Sequence, residues 1–102
     1  YLPDGYYLLE STKNEYRLQV IYKNDSEDII ELLVYFQNST TYIDNEHYIV
    51  SDIHINGIQG KFFESTDTNF KNCIAWHTEQ GDFRLSASLE KGIMIKIAEN
   101  IK

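Results

Sequence analysis

Ile74-Ala75-Trp76-His77-Thr78-Glu79-Gln80-Gly81-Asp82-Phe83-Arg84-Leu85-Ser86-Ala87 decides the fold, because its apolar residues alternate, turn back and alternate again. Ile74, Trp76 and Thr78 share one face on the way out, and Phe83, Leu85 and Ala87 share one on the return. Gln80-Gly81 is the expected turn. It sets Trp76 opposite Leu85 and Ile74 opposite Ala87 on the core face, with His77 facing Arg84 and Ala75 facing Ser86 on the other. After Ser88 the period changes, and Leu89, Ile93, Ile97 and Ile101 recur at helical spacing. The stretch therefore reads as the last two strands of a sheet followed by a covering helix, Leu89 to Ile101. Ser88 is its expected N-cap, with Glu90 in the first turn and Lys96 and Lys102 nearer the negative end of the dipole. Gly92 inside the helix costs about 1 kcal/mol relative to alanine, so close packing on the sheet is expected there.

Upstream, the same two-residue rhythm recurs. Tyr1 to Tyr6 is an entry turn, with Pro3 presetting its φ and Gly5 permitting a positive one. Tyr6 to Glu10 reads as a short strand. After Asn14, the residues Tyr16, Leu18, Val20 and Tyr22 alternate with Arg17, Gln19 and Lys23 as a half-buried strand. Asn24 to Asp28 is a polar turn. Ile29 to Gln37 is apolar on both faces, and Val34, Tyr35 and Phe36 favour a central strand over a helix. Ser39 to Glu46 is a polar connection with Tyr42 as its candidate for irregular pairing, and His47 to Ile55 is the next strand. Asn56-Gly57 is the strongest hairpin signal in the chain. It pairs Ile55 with Ile58, Ile53 with Gly60 and Ser51 with Phe62. Gly60 then falls on the apolar face, where a glycine leaves room for a bulky neighbour, and Trp76 is the expected neighbour. Glu64 to Asn72 reads as a second polar loop with Phe70 tucked back. The fold class is α+β: a curved antiparallel sheet of six or seven strands, one face covered by the C-terminal helix. Its structural core is expected around Trp76, Leu85, Gly60, Ile93 and Ile97.

A chain of 102 residues makes one domain, large enough to bury roughly two-thirds of its unfolded surface. The formal charge of −7 comes with no basic cluster. Nucleic acid is accordingly not an expected partner, nor is an anionic membrane surface. No apolar run approaches the ~20 residues of a membrane helix, and no secretory signal is visible. The chain starts at Tyr1 rather than Met, and is expected to be a segment of a longer protein.

Chemistry-bearing residues are few and unclustered in sequence. His47, His54, His77 and Cys73 lack the close pairs of a zinc site. Cys73 and His77 would stand about 13 Å apart on one strand, too far to share a metal. The one cysteine forms no intrachain disulfide, and no base or oxyanion-hole signature accompanies it. Asp25, Glu27, Asp28 and Glu31 lack the calcium-loop spacing and read as a solvated acidic turn. Glu79 and Asp82 flank a surface turn. The sequons at Asn24 and Asn38 matter only in a eukaryotic secretory pathway. No catalytic, cofactor or metal residue is therefore nominated. Tyr6, Tyr7, Tyr16, Tyr22, Tyr35 and Tyr48 supply rigid amphipathic contact area that suits sheet packing or an interface.

Tyr1-Leu2-Pro3-Asp4-Gly5-Tyr6, Ile55-Asn56-Gly57 with Gly60, Ile74-Ala75-Trp76 and Ile97-Ala98-Glu99-Asn100-Ile101 occur in an order that resembles a known family. It is the uncharacterised bacterial domain-of-unknown-function family numbered 4367, found chiefly in Firmicutes, and the resemblance spans the chain. It implies the extracytoplasmic part of a protein anchored by one N-terminal membrane helix, in some members with a segment similar to anti-sigma factors. It carries over no catalytic residues. The expected function is a non-catalytic sensory or protein-interaction domain at the extracytoplasmic face of the cell membrane, regulatory in the anti-sigma-factor-like manner. Its expected partner is a protein or small ligand, and its only membrane attachment a preceding anchor. The alternative is a module that holds a lipid or peptide in a groove between sheet and helix.

Overall fold

A computed structural model describes residues 2–36, 48–66 and 71–101. The strands are β1 (Tyr7–Lys13), β2 (Arg17–Lys23), β3 (Ile29–Tyr35), β4 (Tyr48–Ile55), β5 (Ile58–Ser65), β6 (Asn72–Thr78) and β7 (Gly81–Ala87), followed by helix α1 (Lys91–Glu99). They form one seven-stranded sheet in the order β1-β2-β3-β7-β6-β5-β4. Every neighbouring pair is antiparallel. The sheet is thus two meanders, β1–β3 and β4–β7, joined where β3 meets β7. The α+β architecture is that of a curved open sheet with one C-terminal helix, and the described residues supply seven strands.

Alternation chose the faces. Ile30, Leu32 and Val34 of β3, Ile74 and Trp76 of β6, and Phe83, Leu85 and Ala87 of β7 are buried on the helix-covered face. From β4 and β5, Ile53, Ile55 and Phe62 join them, and α1 contributes Met94, Ile97 and Ala98. Leu18, Val20 and Tyr22 of β2 pack against this core while half-buried. Tyr16, expected in the same inward row, lies in the turn before β2 and is 60% exposed. β1 is longer than the expected Tyr6–Glu10, because pairing with β2 continues to Lys13 past a bulge between Leu8 and Glu10.

The Asn56-Gly57 hairpin has the expected register, Ile55 with Ile58, Ile53 with Gly60 and Ser51 with Phe62. Both turn residues are left-handed, at φ 51° and 84°, which matches the twist of the flanking strands. The β6–β7 hairpin corrects the sequence reading. Trp76 faces Phe83, Ile74 faces Leu85, His77 faces Asp82 and Ala75 faces Arg84. The turn is Glu79-Gln80, so Gly81 begins β7 opposite Thr78. The reason lies across the sheet: a Cβ on Gly81 would stand 2.0 Å from the Tyr35 carbonyl oxygen, and its φ is 141°. The glycine serves close approach to β3 rather than the turn.

The helix is also shorter than the expected Leu89–Ile101. Its N-cap is Glu90, with no side-chain capping bond, rather than Ser88. The Asn72 amide donates to the Leu89 carbonyl (2.8 Å), and this holds the chain short of helical geometry. The Asn56 side-chain amide donates to the Glu99 carbonyl at the other end (2.8 Å). The buried stripe is Met94, Ile97 and Ala98, whereas Leu89, Ile93, Ile95 and Ile101 are half-buried around it. Gly92 faces open space, with nothing within 4 Å of an added Cβ, so sheet packing does not explain it. The expected ends of β3 at Gln37 and β4 at His47, the Ser39–Glu46 connection with Tyr42, and Phe70 lie outside the described residues. So does Lys102. β5 and β6 reach into the expected Glu64–Asn72 loop, ending at Ser65 and starting at Asn72.

Candidate functional site

The C-terminus of α1, the Asn56-Gly57 turn and the Glu79-Gln80 turn meet at one end of the covered face. Between them opens a cleft of about 760 Å³. Ile55, Ile58, Trp76, Phe83, Ala98 and Ile101 supply its apolar lining, and Asn56, His77, Thr78, Glu79 and Gln80 its polar edge. The Trp76 ring stacks on Phe83, with centroids 5.1 Å apart and planes 18° from parallel. Such stacking stabilises the pair beyond the area it buries.

Each part of this site is held by neighbours whose role is local and physical. Gly60 sits opposite Trp76, where an added Cβ would fall 3.1 Å from the Trp76 Cβ and 2.9 Å from the Ala75 carbonyl. A side chain there would displace strand backbone, so glycine lets β5 and the Trp-bearing strand lie close. Asn56 joins its own turn to the helix end through the Glu99 carbonyl. The Ile101 amide then donates back to the Ala98 carbonyl (3.2 Å) and curls the chain over the sheet. At the edge, the Gln80 backbone N–H donates to Thr78 Oγ1 (3.1 Å), and His77 Nδ1 lies 2.6 Å from Asp82 Oδ1.

A second cleft, about 330 Å³, follows the other flank of α1 between Leu2, Tyr22, Leu32, Leu85 and Ile97. Ile101 lines both clefts and forms the wall between them. Ile58, 38% exposed, is the most open apolar residue of the larger one. Among the described residues, the other exposed large apolar ones are Tyr7, Leu8 and Leu9 on β1, Tyr16 beside it, and Ile49 and Val50 on β4. They sit at the two edges of the sheet.

Two of the groups that carry chemistry, His77 and Glu79, line the larger cleft, and Asp82 pairs with His77 there. His54 is on β4, His77 is on β6, and His47 lies outside the described residues. Among the described residues no three His, Cys, Asp or Glu side chains converge as metal ligands. Cys73 is buried against Phe63 and Ser86 in the neighbouring strands. Burial pushes its thiol up, and the Glu31 charge adds to this, against a Ser86 hydrogen bond and the Arg84 charge. A thiol so placed is a poor nucleophile at neutral pH. Acids of the β2–β3 turn and of β3 are engaged separately: Glu27 with Lys23 (3.0 Å), Asp28 with the Asn24 side-chain amide (3.2 Å) and Glu31, on β3, with Gln19 (2.7 Å). On β4, a hydrogen bond from Lys61 holds the Asp52 carboxyl below its usual range.

Of the residues singled out for the core, Trp76, Leu85 and Ile97 are 6%, 1% and 4% exposed, Gly60 is buried and Ile93 is half-buried. Trp76 is the one that also lines the larger cleft. Asn56, Ala98 and Ile101 complete that cleft, and nothing in their local sequence announces it. Their signal is the helix end meeting two turns, which only the folded chain contains.

Residues 1–101 match the family model described as Domain of unknown function (DUF4367). The chain belongs to this family. No curated protein and no solved structure matches it.

Proposed function

We propose that this DUF4367 domain is a non-catalytic recognition module, the sensory or protein-interaction part of a membrane-anchored bacterial protein. The observation that carries the reading is the apolar cleft over Trp76. Recognition sites are concave and largely apolar, with a few polar groups that fix orientation. Here Ile58, Trp76, Phe83 and Ile101 provide the apolar surface, and Asn56, Thr78 and Gln80 provide hydrogen-bonding groups beside it. Placement outside the cell membrane, and a regulatory role of the anti-sigma-factor kind, are proposed on the family resemblance. The smaller cleft supports a second reading. Its Leu2, Leu32, Leu85 and Ile97 lining suits a lipid chain or apolar peptide held between sheet and helix.

Trp76 is the only tryptophan, so its emission reports directly on the larger cleft. A random twelve-residue displayed-peptide library is screened against the immobilised domain, and binders are titrated by Trp76 fluorescence. The expected result is a set of peptides that shift the emission and lose binding in Ile58→Asp. A screen that yields no binders, or only binders indifferent to that substitution, overturns the reading. In cells, labelling of the full-length protein from outside the membrane tests the location; protection from the label refutes it.

A further inference from the structure

We infer that the cleft over Trp76 selects a cationic peptide segment. A large apolar side chain of that segment enters beside Ile58 and Ile101, and a neighbouring lysine or arginine meets the acidic edge. This inference rests on the recognition reading above and adds the chemistry of the partner.

The charge around the apolar floor of the cleft complements such a segment. Among the described residues, no lysine or arginine lines either cleft. Glu79 lines the larger one, and Glu99, exposed on the last turn of α1, adjoins the lining residue Ala98. Lys96 is the one basic residue of that last turn. Asp82 is engaged by His77 at the edge. Beyond the site, the chain carries a formal charge of −7, which attracts cations and repels anions at a distance. A fatty acid or anionic lipid would place its charge against Glu79 with no described lysine or arginine in the lining to receive it. A basic amphipathic peptide meets both features at once. Its apolar side chain supplies most of the affinity by leaving water, and the exposed ion pairs supply the selectivity.

The test uses two synthetic peptides without tryptophan, each with a Leu-Phe-Leu centre, one flanked by lysine pairs and the other by glutamate pairs. Trp76 emission of the domain is the readout. The lysine-flanked peptide is expected to bind about tenfold more tightly at low salt, and the gap should narrow as salt screens the exposed charges. Glu79→Gln combined with Glu99→Gln should shrink the gap about fivefold, while Ile58→Asp removes binding of both peptides. Equal affinities, tighter binding of the acidic peptide, or binding of neither overturns the inference. So does a Trp76 response to vesicles of anionic lipid that exceeds the response to the basic peptide. If the random library returns Ile58-dependent binders lacking basic residues, recognition by the cleft stands and its preference for cations falls. An empty library removes both.

Discussion

The two meanders of the sheet share one alternating pattern and reach different states. In β4–β7, residues such as Ile55, Phe62, Ile74, Trp76 and Leu85 are at most 6% exposed beneath α1. Across the junction strand β3, the inward residues of β2 are half-buried and every residue of β1 is exposed. Alternation therefore reports which face a side chain takes, not how deeply it is buried. Depth comes from a second layer, and α1 packs against β4, β6 and β7. The larger cleft lies at the end of that covered half, where the helix stops and the sheet continues.

Substitutions can break or sharpen this contrast. The largest expected effect is in the covered half: Trp76→Ala should cost ~3–5 kcal/mol, as for other buried aromatics, read by denaturant titration followed by circular dichroism. A loss below about 1 kcal/mol would mean that the stack on Phe83 is not part of the core. Next is the junction. Gly81→Ala places a methyl against the Tyr35 carbonyl and should cost roughly 2–3 kcal/mol through overlap and backbone strain. Equal stability would show that β3 and β7 are not held this close.

The open half should respond less. Leu18→Ala on half-buried β2 is expected to cost about 1 kcal/mol, well below the 2–5 typical of a fully buried leucine. A larger loss in the same titration would show that β2 is covered. Gly92→Ala tests the cover itself. Its Cβ meets nothing and the residue lies inside α1, so thermal melting should show a gain of about 0.5–1 kcal/mol. Destabilisation would place Gly92 against the sheet after all. The smallest effect is at the edge: Leu9→Ser, at a 51% exposed bulge position, should stay within about 0.5 kcal/mol. A larger change by the same measurement would indicate that this edge is paired.

The comparison of two hairpins shows where the sequence was legible. Asn56-Gly57 announces its own register, because both residues tolerate positive φ and that conformation is a property of the dipeptide. Gly81 resembles a turn residue equally well, yet its need for glycine comes from Tyr35, far away in the chain. Moving the turn back by one residue shifted the β6–β7 pairing by two, so every side chain kept its face. Trp76 was placed on the core side by the same parity, while its stacking partner became Phe83 instead of Leu85. The helix shows the same division. Its apolar spacing is visible in the sequence, whereas its ends were set by Asn72 and Asn56, two tethers on strands and turns that no capping signal at Ser88 can reveal.

What the sequence determined by itself was therefore local and periodic: six or seven extended segments, the face most of their apolar residues take, one C-terminal helix, and the family that its ordered motifs resemble. These follow from short-range stereochemistry and from the two repeat lengths of strand and helix. The tertiary structure decided that β3 pairs with β7, that Gly81 rather than a turn needs glycine, and that a cleft opens over Trp76. Those features need surfaces far apart in the chain to meet, and close packing then allows only one arrangement of the backbones between them.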